Sequence, residues 1–282
     1  MSPTARRWAV SIAALSVLLV LYSCSGPSAP QPGTPAFLWN AAKESWAAGE
    51  YADTADRLDD LLAKDEGEYA PRALPWALVA TSGLADGYME AADAYQKGVK
   101  ANKGGAEALR REMVRYHDAA TRLILRFADK FESLNKLKLE AVPLAFPFPK
   151  GSAAEVPTLA TISTGRMPPA ALVESALRME LDRAMILAAA RAAGCPDDAA
   201  KAAALVGAAN ATAPRDAFQL AMARELFTMA EMFSRDKLND LEKRAILCDR
   251  AEKALQGLPE SDGSRELTDR ITAAKKGMGK KS

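Results

Sequence analysis

The stretch GEYADTADRLDDLLAKD (residues 49–65) decides the fold. Tyr51, Thr54, Ala55, Leu58, Leu61 and Leu62 recur at spacings of three and four, which places them on one face of a helix. Upstream, Phe37-Leu38-Trp39, Ala41-Ala42 and Ser45-Trp46 mark the matching face of an earlier helix. Gly49-Glu50 breaks the chain between the two. Two short amphipathic helices joined by a glycine turn make an antiparallel hairpin. A small residue at their crossing lets the backbones approach, and an aromatic fills the gap beside it.

The arrangement recurs downstream. ALPWALVATSGLADGYMEAADAYQKG (residues 73–98) carries Trp76, Val79 and Leu84 before Gly87, then Tyr88, Ala91 and Tyr95. Tyr88 stands 37 residues after Tyr51, close to a helical-repeat period of about 34. Pro71 and Pro75 bracket the start of this unit, where a missing N–H is tolerated. These residues resemble the tetratricopeptide repeat, in which a glycine closes one helix, an aromatic opens the next, and a small residue follows three positions later. Here those roles fall to Gly49, Tyr51 and Thr54, with Leu58 and Leu61-Leu62 as the large apolar residues. Ala254, Leu255 and Pro259 echo the end of such a repeat, with Gly257 as a C-cap. The resemblance implies an all-α fold of antiparallel helical hairpins stacked as a TPR-like α-solenoid.

Composition agrees, because Ala, Leu, Met, Glu, Lys and Arg dominate and all lose little rotamer freedom in a helix. After Gly104-Gly105, the series Leu109, Met113, Tyr116, Ala120, Leu123, Phe127, Phe131 and Leu134 predicts one amphipathic helix over residues 106–139. Residues 142–169 then interrupt the pattern as a Pro-rich loop insertion in which Pro143, Pro147 and Pro149 forbid a helix. Ala145, Phe146 and Phe148 are expected to pin this loop to the helices, and 158–163 is expected as a short strand. Its role is either a lid or partner-binding loop, or a plain connection. A second helical half covers 170–260, including a shorter helix over 197–208, and 261–282 forms a polar helix and basic tail. The first half, 36–141, holds the hairpins and the long helix.

The N-terminus states a location. Arg6 and Arg7 precede an apolar run over 8–22, then small residues and Cys24, the layout of a secretory signal. At about 1.5 Å per residue the run falls short of a bilayer core of roughly 30 Å, which argues against a spanning helix. Leu21-Tyr22-Ser23-Cys24 resembles a bacterial lipobox, although Tyr22 departs from the small residue usual there. The resemblance implies a signal peptide over 1–23, lipid on Cys24, and a Pro/Ser/Gly-rich tether over 24–35. It implies a lipid-anchored protein of the bacterial cell envelope, on the periplasmic face of the outer membrane.

Function is less legible. The chain holds 37 Lys and Arg against 36 Asp and Glu, which gives no electrostatic reason to expect nucleic acid. One histidine, His117, and two further cysteines, Cys195 and Cys248, are too few for a Cys/His zinc site, so neither metal nor cofactor is expected. Cys195 and Cys248 are either a disulfide or two separate thiols. No nucleophile, phosphate loop or paired acid/base motif appears, and the carboxylates are expected on solvated helical faces. An enzyme is therefore not expected. The lipobox and hairpins together imply a membrane-tethered scaffold or adaptor that binds another protein. The alternative is a ligand-binding accessory component of a solute transporter. The candidate ligand or partner surface is Trp46, Trp76, Tyr88 and Phe146; a carrier would enclose a pocket with them, whereas a scaffold leaves an open groove.

Overall fold

One long helix, apolar on every side through its first half, organises the molecule. In the computed structural model, which describes residues 30–64, 67–102 and 104–279, α3 (Ala70–Ala101) runs 32 residues without a break. From Ala73 to Ala85 every side chain is buried, as expected of a helix enclosed by others. Around it lie α2 (Tyr51–Lys64), α4 (Glu107–Lys136), α5 (Pro157–Ser163), α6 (Ala170–Ala192) and α8 (Arg215–Glu231). Helix α1 (Pro35–Ala47) pairs with α2, α7 (Ala199–Val206) follows α6, and α9 (Leu241–Leu255) joins α8 to α10 (Asp262–Gly279). The fold is all-α and built from helical hairpins, with one small sheet among the described residues.

The first hairpin forms where the sequence places it. Gly49 adopts φ +75°, and the amides of Gly49 and Glu50 bond back to the carbonyls of Trp46 and Ser45. This closes α1 with the 5→2 and 6→1 bonds of a Schellman motif, whose left-handed residue favours glycine. Ser45 and Thr54 bond across the crossing at 3.1 Å, and Trp46 meets Tyr51 edge to face. Arg126 and Lys130 of α4 reach back to Asp59 of α2 at 2.6 and 2.7 Å.

The second expected turn does not exist. Gly87 lies inside α3, and its missing side chain serves packing instead of reversal. A Cβ there would come 2.8 Å from Leu181 Cδ2, and one at Gly83 would come 2.8 Å from Met185 Sδ. Gly83 and Gly87 share one helix face, so α6 sits directly against the α3 backbone. Farther along α3, a Cβ on Gly98 would fall on the Ile162 carbonyl oxygen of α5.

The Pro-rich insertion packs as expected but with different local structure. Its start, β1 (Ala141–Pro143), pairs antiparallel with β2 (Thr212–Pro214), Val142 opposite Ala213. Residues 158–163, expected as a strand, are helical in α5, because Pro157 supplies the fixed φ of a first helical turn. Leu144 and Phe146 are buried, and Trp46 Nε1 donates to the Pro147 carbonyl at 2.7 Å. Cys195 and Cys248 are two separate buried thiols. The lipobox cysteine Cys24 lies outside the described residues. No described helix is long and apolar enough to cross a membrane.

The Gly98 contact gives a direct check. Gly98→Ala should destabilise the protein by about 1–3 kcal/mol, since a backbone carbonyl cannot move aside cheaply. Gly277→Ala meets nothing within 4 Å and should leave the thermal melt unchanged or slightly raised. Equal melts for the two variants would contradict the packing described.

Candidate functional site

Three of the four expected surface aromatics come together, but inside the protein. Trp76 is fully buried at the centre of an edge-to-face group, 5.3 Å from Trp39 and 5.5 Å from Trp46. Phe146 adds a further ring 6.0 Å from Trp46. Such pairs contribute about 0.5–1.5 kcal/mol each beyond burial, so this group holds α1, α3 and the Pro-rich segment to one another. Tyr88 belongs elsewhere, half-buried and stacked 6.0 Å from Tyr116 in a second apolar cluster with Tyr95 and Ile162. A cleft of about 440 Å³ opens beside Trp46 and Tyr51, bounded by Phe148, Lys150 and Asp182. Only the margin of the aromatic group reaches it.

The chemistry lies on another face. Where α3, α6 and α8 meet, a cleft of about 420 Å³ has Asp86, Glu180, Arg183, Arg191 and Glu225 in its walls. Arg191 contacts Asp86 through Nη2, and its Nε lies 2.6 Å from Glu225 Oε1, off the line of a hydrogen bond. Glu180 pairs with Arg183 at 2.8 Å. Glu180 and Glu225 are almost completely buried, which corrects the expectation that the carboxylates face solvent.

The reason is geometric. Asp86 stands on α3 between the two glycines that admit α6, so its carboxylate is covered when α6 docks. A buried charge needs a partner, and Arg191 supplies it from one helix while Glu225 approaches from another. Burial, and then the charge of Asp86, push the Glu225 carboxyl up to about 8; burial raises Asp86 as well. One guanidinium balances one carboxylate, so the pair retains a proton at neutral pH.

Sequence reasoning missed this triad, yet a signal existed. Asp86 is the one charged residue between Arg72 and Glu90, and Arg191 the one between Arg183 and Asp197. A lone charge in a long apolar stretch marks a buried partner.

A third cleft, about 510 Å³, lies between α4, the start of α8 and the end of α9. Phe131 and Ala128 form its base, with Lys136, Arg215, Arg250 and Lys253 among the residues around it. His117 is buried beside α3, where desolvation lowers its pKa against a smaller opposing effect of Asp93. Among the described residues, no cluster of His, Cys, Asp and Glu is arranged to hold a metal ion. No known protein family, curated protein or solved structure matches this chain.

The triad makes stability depend on pH. Glu225 has a folded pKa of about 8 against an ordinary 4.5, so the folded state holds the proton more tightly than the unfolded chain. That contribution is complete below the ordinary value and is lost as pH rises through about 8. The thermal midpoint should therefore fall across this window, and Glu225→Gln should flatten the fall. Arg191→Met should cost about 3–5 kcal/mol by leaving two carboxyls without their cation. A melting profile equally flat in wild type and Glu225→Gln would refute the shared proton.

Proposed function

We propose that the chain is a lipoprotein of the bacterial cell envelope. It is anchored through Cys24 on the periplasmic face of the outer membrane, and its helical-repeat body binds another protein as a scaffold or adaptor. The observation that carries the scaffold reading is the fate of the aromatics. Trp46, Trp76 and Phe146 close on one another, whereas a solute carrier would keep such rings for a cavity wall. The clefts that remain are surface grooves between helices, the form in which hairpin-built proteins accept segments of partners.

The proposal includes no catalysis by the chain itself. Its most perturbed carboxyls, Asp86 and Glu225, are already engaged by Arg191, an arrangement that suits joining three helices. The tether over 24–35 fits the anchor, since an extended Pro-rich segment holds a body close to a surface while leaving it free to turn.

Two measurements test the reading. Purification of the intact protein from native membranes should recover a protein partner in stoichiometric amount. A tightly retained small molecule without a protein partner would favour the transporter component instead. For the anchor, wild type should carry the added mass of lipid and sediment with membranes, and Cys24→Ser should lack both. Identical, unlipidated masses would remove the anchor from the account.

A further inference from the structure

We propose that the groove between α4, α8 and α9 receives an acidic segment of the partner protein. The inference rests on the scaffold reading and adds a place and a chemistry to it. Along α4, Ala128, Phe131 and Asn135 follow one another at helical spacing and give the groove an apolar base with a polar end. Four cations, Lys136, Arg215, Arg250 and Lys253, line it against the two acids Glu132 and Asp216. With Asp129, which pairs with Arg250, four cations stand against three acids, an excess of one positive charge.

The cations differ in how they are engaged. Arg250 pairs with Asp129 at 2.7 Å in an exposed contact that offsets its charge, and Arg215 donates to the Leu139 carbonyl at 3.3 Å. Lys136 and Lys253 are exposed and pair with no carboxylate among the described residues. Helix α8 also starts here, with Pro214 capping it without a side-chain hydrogen bond, so its first-turn N–H groups add positive potential. Arg215 and the two lysines without acids, beside a helix N-terminus partly offset by Asp216, complement a carboxylate-bearing segment.

Fluorescence anisotropy on the folded protein tests this with a labelled peptide of Glu-Leu-Glu-Ala repeats and its Lys-Leu-Lys-Ala counterpart. The acidic peptide should bind and the basic one should not. Binding should weaken about tenfold between about 50 and about 200 mM NaCl. The double variant Lys136→Glu/Lys253→Glu should lose binding while still melting cooperatively, a few degrees lower at most because both lysines stand in the last turns of their helices, and the milder Lys136→Gln/Lys253→Gln should lose part of the binding. Equal binding by wild type and the charge-reversed variant, or none by wild type, would overturn the proposal. So would reversal-sensitive binding to phosphatidylglycerol vesicles in place of the peptide, or a dimer that occupies the groove with a second copy. If the charge-reversed protein still recovers the wild-type partner from membranes, the groove assignment falls and the scaffold stands. If wild type recovers none, the scaffold itself falls.

Discussion

The close approach of α3 and α6 is the constraint on which the rest depends. Gly83 and Gly87 remove two side chains from one face of α3, and Leu181 and Met185 of α6 occupy that space. Bringing the helices so near encloses whatever lies between the glycines, and Asp86 lies there. The buried charge then calls for Arg191, and Arg191 draws in Glu225 from α8. A packing choice on one helix thus fixes a third helix through electrostatics. The same enclosure explains why α3 is apolar on all sides from Ala73 to Ala85, where its neighbours leave it little contact with water.

This division of labour shapes what the molecule can do. The aromatic side chains join α1 to α3 and to the Pro-rich segment, and of Trp39, Trp46, Trp76 and Phe146 it is Trp46 that lines the neighbouring cleft. Buried carboxyls and arginines hold helices in register. What remains for recognition is the set of grooves where helices diverge at the surface, and these are polar with an apolar base. Such a surface suits binding that depends on charge and shape.

Much of the architecture was legible because helical periodicity is strong where one face is buried. The α1–α2 hairpin followed from Gly49, and the single long helix α4 followed from the apolar series between Leu109 and Leu134. Gly87 was misread because glycine carries two signals. It ends a helix when the backbone must turn through positive φ, as Gly49 does, and it admits a neighbour when a helix must be approached closely. One sequence cannot separate these, since the difference lies in residues a hundred positions away. Residues 158–163 failed for a related reason: a short run of Thr, Leu and Ile fits either period, and Pro157 decided it. The triad escaped because periodicity assigns charges outward by default, and Asp86 and Arg191 are exceptions forced by tertiary contact.

On the proposed reading, the helical body presents its α4–α8–α9 groove to another protein. Site-specific photo-crosslinking in native membranes tests it most directly, with the reactive group placed at Asn135 in the groove and, separately, at the exposed Asp60 of α2. A discrete protein adduct is expected from Asn135, mapping to an acidic segment of the partner, and none from Asp60. Adducts of equal yield from both positions, or from Asp60 alone, would contradict it.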